Sequence, residues 1–321
     1  MATAENAKLE YEAGQAAVAM SALTDSGDRT IFTSAASIWS GRSGYAPTVR
    51  PNGLLTGGAI TPAVTNNVVN VAALTCNLAG VVTSVAGAPV TITRPAGNVA
   101  KVISITVTSA GALAALAGTD GATTAFVETR AAAGGPPLIP VGSIEIGQVR
   151  VTSSTDAAVA ASGIFSVVGL HVERADFPLF DLDYTEGAAR FLADLPAIHT
   201  GSLPKGVYAS YASPIFGEVA LASDFVPPET SHSVSSTQIY GTTLGSTSST
   251  LGQGSFTAYL TNGISDGLIG LKNETLWFRF YPDRYQASYL LTQGKLGIAR
   301  TFPAGDQIQA ACTISASAAA V

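Results

Sequence analysis

The clearest alternation of apolar and polar positions in the chain is Val99–Thr108. There Ile103, Ile105 and Val107 fall on one face of an extended strand and Ser104, Thr106 and Thr108 on the other. Ser143–Thr152 alternates through Ile144 and Ile146, then changes phase to Val149 and Val151 with Gly147 between them, which predicts a strand carrying a bulge. Ile164–Val172 predicts another strand, and Thr275–Tyr281 (TLWFRFY) a further one with Leu276, Phe278 and Phe280 inward. Ser231–Leu244 and Ser246–Thr261 carry hydroxyl side chains at most positions and flank Gly245, so together they predict a long hairpin. Ala287–Phe302 and Gln307–Ser317 supply two or three more strands, divided by Pro303-Ala-Gly-Asp306.

Helical spacing is scarce. Gly263–Lys272 places Ile264, Leu268, Ile269 and Leu271 at helical intervals, which predicts one short helix packed on the sheet. Ala and Leu favour short helices over Glu5–Ala13 and Gln15–Leu23, separated by Gly14. After the turn Asp25-Ser-Gly-Asp28, Arg29–Ser40 reads as a strand, whereas Arg42–Gly58 is so broken by Gly and Pro that it reads as an extended arm. Gly134-Gly-Pro-Pro-Leu-Ile-Pro140 predicts a rigid loop, because proline has no donor for a ladder or a helix. Tyr184–Pro196 fits two helical turns or a strand pair, and the bounding Gly187 and Pro196 favour the pair.

Charge changes the picture. Of 321 residues only 38 are Lys, Arg, Asp or Glu, 12% of the chain, about half the usual quarter. From Pro51 to Leu170 there are eight, summing to zero; from His171 onward thirteen carboxylates face eight bases, so that half carries five of the six net negative charges. No cluster of Lys and Arg exists to release counterions from phosphates, which argues against nucleic-acid readout. Cys76 and Cys312 lie among Val, Ala and Thr, where a free cysteine acts as a small hydrophobe. With no apolar run of membrane-spanning length and no basic-then-apolar leader, the expectation is synthesis in the cytosol and no membrane partner.

Candidate chemistry is thin. The histidines His171, His199 and His232 stand apart from any nucleophile motif and read as structural, and no close pair of His, Cys or carboxylate has zinc spacing. Asp181 and Asp183 would share a strand face as an acid pair or calcium ligands, but no further oxygen ligand follows at loop spacing. Gly252-Gln-Gly254 lacks the helix a phosphate cradle needs, and Trp277, Arg279 and Tyr281 on one strand face fit a base-stacking platform or simple packing between layers. The expectation is a non-enzyme with no catalytic residue, cofactor or metal.

The carboxyl-terminal run TQIYGTTLGSTSSTLGQGSFTAYLTNGISDGLIGLKNETLWFRFYPDRYQASYLLTQGKLGIARTFPAGDQIQAACTISAS resembles the major tail tube proteins of long-tailed bacteriophages. The likeness lies in its order: a Ser/Thr-rich hairpin, a short helix, the FRFYPDR strand and the closing QGKLGIARTFPAGD segment. The resemblance implies a mainly β chain: a tail-tube β-sandwich with a helix at about 263–272, its first part in an arm over 1–53, its last part over 216–321, and a small β domain inserted over 54–215. It implies a structural virion protein, assembled in the host cytoplasm. Six copies would close a ring, and stacked rings would form the tail tube through which genomic DNA leaves. Its partners would be further copies of itself, the tape measure, tail tip and tail terminator proteins, and double-stranded DNA passing without being read.

On this reading the loop Pro227–Ser236 and the hairpin it enters mediate subunit contact, through Pro227, Pro228, Glu229, His232, Ile239 and Tyr240. Asp266, Glu274, Asp283 and Asp306 are the candidates for charge on the lumen. Two alternatives stand beside it. One is a virion decoration or receptor-binding protein acting through exposed aromatics of the middle domain, where Phe126 is the one aromatic between Thr61 and Phe165. The other is a glycan-active β enzyme using Asp181 and Asp183.

Overall fold

The computed structural model of the chain describes residues 5–321, with the backbone alone at Ile239 and Thr243. The described residues are β-rich, with two single 3-10 turns and no α-helix among them. They form two compact units. One comprises Met1–Val18, Ile38–Pro47 and Tyr211–Val321, the other Ala19–Ser37 and Thr48–Ser210. The strands Lys8–Ala22 and Val207–Glu218 contribute residues to both units. The opening fifty residues are thus divided between the units and do not belong to one as an arm.

In the first unit the sheet runs in the order Ala222–Val226, Gly254–Tyr259, Gln309–Ala316, Leu290–Thr301, Thr275–Tyr281, Lys8–Ala22, Val207–Glu218. Alternation decides which face is buried. Leu276 and Phe278 are fully buried, and Leu9, Phe256, Leu296, Ile298, Cys312 and Ile314 join them on one face, with Phe280 packed at the margin. Leu268 and Leu271 cover that face from the loop preceding Thr275–Tyr281.

That loop is not the helix its spacing predicts. Only Ile269–Leu271 makes a 3-10 turn. Asn262 Oδ1 accepts from the backbone N–H groups of Ile264 and Ser265, both at 2.8 Å, and Asp266 accepts from those of Thr261 and Gly263 at 2.8 and 2.7 Å. Side chains that bind local backbone donors compete with a helical ladder. The apolar spacing therefore reports a covering contact, made without a helix.

The expected helices at Glu5–Ala13 and Gln15–Leu23 are likewise one long strand, Lys8–Ala22. Pairing with Thr275–Tyr281, in register from Lys8↔Tyr281 to Tyr11↔Phe278, outweighs the modest helical preference of Ala and Leu. Within Arg29–Ser40 only Ile31–Thr33 is strand, while the segment read as a broken arm contributes the strands Thr48–Pro51 and Gly53–Gly57.

The second unit is built around the sheet Leu113–Ala117, Lys101–Val107, Ile144–Val151, Ile164–Phe165, with three smaller sheets. The register of Lys101–Val107 against Ile144–Val151 steps from Ile105↔Gly147 to Thr106↔Glu145, leaving Ile146 as the extra residue of the bulge that the phase change predicts. A Cβ at Gly147 would stand 2.4 Å from Ile60 Cδ1, so a larger residue there makes the Ile60 side chain shift. Lys101–Val107 is buried along its whole length, so its polar face is covered as well as its apolar one. Of the strand pair favoured for Tyr184–Pro196 only Ala188–Phe191 lies in that segment; its partner Phe180–Asp183 precedes it, and residues 184–187 form the turn between them.

Both cysteines are free and buried. Burial pushes the Cys312 thiol up to about 12 and raises that of Cys76. Since the thiolate is the reactive form, a disulfide reagent such as DTNB should titrate neither cysteine in the folded chain at pH 8 and both in denaturant. Reaction of one thiol within minutes under native conditions would show that its core opens readily.

Candidate subunit interface

Thr230–Ile239 and Thr242–Leu251 pair along their full length, from Thr230↔Leu251 to Ile239↔Thr242, as a two-stranded sheet with no third strand. The turn is Tyr240-Gly241, with Gly241 at φ 83°. The predicted turn at Gly245 is displaced by four residues, and Gly245 instead lies opposite Ser236 within the ladder. A two-residue connection needs a positive φ, which Gly241 supplies at little cost.

The ribbon's side chains follow from its composition. Ser233 and Ser248 are directly opposed and share a hydrogen bond of 2.7 Å, as do Ser235 and Ser246. Its described side chains are exposed, apart from Leu251 at its root, and isolated apolar groups stand out among the hydroxyls: Val234 at 76%, Leu244 at 62% and Tyr240 fully in solvent. His232 is the sole ionisable residue of the two strands. Each strand keeps one outer edge of ten residues without Lys or Pro, the devices that usually blunt such edges. By contrast the sheet edge Ala222–Val226 is five residues long, is irregular between Ser223 and Val226, and carries Asp224 at φ 55°.

The predicted contact residues therefore divide. Glu229, His232 and Tyr240 are exposed on or beside the ribbon. Pro228 is buried at its root, where its carbonyl accepts from Ala320 N–H at 2.9 Å, so it anchors the ribbon and is unavailable to a partner; Pro227 is half-buried. The side chain of Ile239 lies outside the described residues. The expected loop through Ser236 ends at Glu229, because Thr230 already begins the strand. Val234 and Leu244 are not among the predicted contacts; their signal in the chain is a single apolar residue set in each hydroxyl run.

The four carboxylates proposed for a lumen sit in different local settings. Glu274 and Asp283 flank opposite ends of the seven-residue strand Thr275–Tyr281, about 23 Å of extended chain. Asp266 is committed to its turn, whose backbone N–H groups hold its carboxyl below the usual range. Glu274 faces Arg42 at 3.7 Å, and Asp283 accepts from Tyr285 N–H at 3.1 Å. Asp306 is exposed in the turn between Leu290–Thr301 and Gln309–Ala316.

The remaining candidates are held by packing. Trp277 is buried, with its Nε1 donating to the Trp39 carbonyl at 2.8 Å and its backbone N–H to Glu12 Oε2 at 3.2 Å. Arg279 pairs with Glu10 at 2.9 Å and lies 3.6 Å above the Phe216 ring. The strand face considered for base stacking is thus occupied within its own unit. Asp183 accepts from Thr185 and Glu186 N–H, each at 3.0 Å, and from Arg190 Nε at 2.8 Å, which makes it the brace of a turn. His199 is buried with Nε2 3.0 Å from the Ser143 carbonyl.

The chain matches no protein-family model, no curated protein and no solved structure.

Proposed function

We propose that this chain is a structural subunit that assembles with copies of itself into the tail tube of a long-tailed bacteriophage, in stacked rings that conduct DNA without reading it. The observation that carries self-assembly is the ribbon Thr230–Leu251. A lone two-stranded hairpin is marginal in water, and this one offers two bare edges of ten residues and solvent-facing Val234, Tyr240 and Leu244. A further copy supplies what it lacks, by strand addition or by covering those side chains. The assignment to a tail tube is supported by the sequence resemblance of the carboxyl-terminal passage and by the acidic balance of that half, which offers passing phosphates few cations. On this reading the tape measure, tail tip and terminator proteins are the other partners and the virion is the protein's location.

The purified chain, concentrated alone or with tail-tip protein as nucleus, should sediment as hollow tubes visible by negative-stain microscopy. A species that stays monomeric under both conditions would refute the reading. Tyr240→Asp and Ile239→Asp should each stop assembly while leaving the unfolding midpoint unchanged, because a charge placed in a newly buried interface without a partner is costly. Tubes of normal yield from both variants would exclude this end of the ribbon as the contact.

A further inference from the structure

The second unit contains a cleft that self-assembly does not use. Arg150 lies near the end of the strand Ile144–Val151, and its side chain is only 9% exposed. Its guanidinium lies over two rings, with Cζ 4.5 Å from the Phe165 centroid and 5.7 Å from that of Phe126. These are the two aromatics of the whole stretch Thr61–Leu170, and the fold brings both to one arginine.

The polar groups around it are unbalanced. Arg150 Nη1 and Nη2 donate as a fork to Glu128 at 2.7 and 2.8 Å, and Glu128 is 72% exposed on a stretch without regular structure. The fork is the main reason the Glu128 carboxyl lies below its ordinary range. Nη2 also lies 3.3 Å from Gln148 Oε1 and 3.4 Å from His171 Nε2, while the Val167 N–H faces His171 Nδ1 at 3.3 Å. Burial first, and the Arg150 charge second, lower the His171 pKa. Both Nη2 hydrogens are taken up by Glu128 and Gln148, whereas Arg150 Nε is buried and has no partner. One buried donor is therefore unmatched, and the strongest acceptor present is held from the solvent side.

Two clefts adjoin the arginine. One of about 400 Å³ is bounded by Glu128, Gln148, Phe165 and His171, and another of about 360 Å³ by Phe126, Thr152, Ser162 and Phe165. Both fall within the range of small-ligand sites.

We propose that this cleft binds a saccharide bearing a carboxylate, of the uronic-acid type, whose carboxylate takes the place of Glu128 on the Arg150 fork. A planar fork matches a carboxylate through two parallel hydrogen bonds. The C–H face of the sugar packs on Phe165 or Phe126, and one of its hydroxyl oxygens supplies the acceptor that Arg150 Nε lacks. An acidic peptide fits less well. Peptides bind such folds by extending a sheet edge, and the edge strand here, Ile164–Phe165, is two residues long. The inference stands apart from tube formation, since a monomer would show it equally.

Titration calorimetry on the full chain tests it, with trigalacturonate as the probe and maltotriose and an acetylated tri-glutamate peptide as comparisons. Trigalacturonate alone should bind saturably. Glu128→Gln removes the competing carboxylate and should tighten binding about three- to fivefold. Arg150→Gln should abolish it, and should that variant fail to fold, Phe126→Ala should weaken binding about fivefold in a chain whose core is intact. No saturable binding to either the unaltered chain or Glu128→Gln would overturn the proposal. So would equal binding of maltotriose, preference for the peptide, or weaker binding by Glu128→Gln.

Discussion

Excising Thr230–Leu251 and joining Glu229 to Gly252 through a short Gly/Ser turn should abolish assembly and leave a folded monomer. The root of the ribbon is already closed, with Gly252 N–H donating to the Glu229 carbonyl at 2.9 Å, so the new turn spans no gap. No described ribbon side chain belongs to the core formed by Leu276, Phe278, Leu296 and Ile314. The monomer's stability should therefore change by no more than about 0.5 kcal/mol, the usual effect of altering surface away from core, caps and networks. Denaturant unfolding and sedimentation measure the two halves of this expectation. Normal tubes from the shortened chain would remove the ribbon from the assembly mechanism. A chain that no longer folds would show that the ribbon belongs to the fold.

Glu145→Ala should weaken the second unit by about 3–5 kcal/mol, the range for breaking one side of a buried ion pair. Glu145 is 1% exposed and gathers three donors: the guanidinium of Arg130, the Ser104 hydroxyl, and Gln148 Nε2 at 3.1 Å. Removing the carboxylate leaves all three to find other partners, with Arg130 itself only 13% exposed. Desolvation, the largest influence on Glu145, raises its pKa despite these donors, a sign of how much the burial of this charge costs. A double change, Glu145→Leu with Arg130→Met, should recover most of the loss, because an apolar pair of similar volume needs no desolvated charge. Urea unfolding of the three chains decides it. A single variant within about 1 kcal/mol of the unaltered chain would mean that water reaches the site.

Much of this was readable in the chain, and some of it was misread for identifiable reasons. The inward set Leu276, Phe278 and Phe280 and the bulge at Gly147 rest on a two-residue period, which survives whatever the strand pairs with. The helices expected over Glu5–Ala13, Gln15–Leu23 and Gly263–Lys272 rest on weak local preferences. Sheet neighbours override the first two in Lys8–Ala22, and the side chains of Asn262 and Asp266 the third. The hairpin was visible as hydroxyl runs, but its turn was not, because Gly241 and Gly245 are equal candidates until the register of opposed residues is known. Of the predicted contact residues, Glu229, His232 and Tyr240 are where a partner could meet them, and Pro228 is not.

Composition and two-residue spacing are enough to establish that the chain is β-rich and poor in charge, that both cysteines lie in apolar surroundings, and which face of Thr275–Tyr281 is buried. Each of these depends on composition or on neighbours two residues apart. It takes the folded chain to bring Glu145 to Ser104 across 41 positions, Arg150 to both Phe126 and Phe165, and Trp277 to Glu12 and Trp39. Those meetings depend on which strands pair and in what register. Pairing is selected by the burial of whole faces at once, and no local window of sequence contains that information.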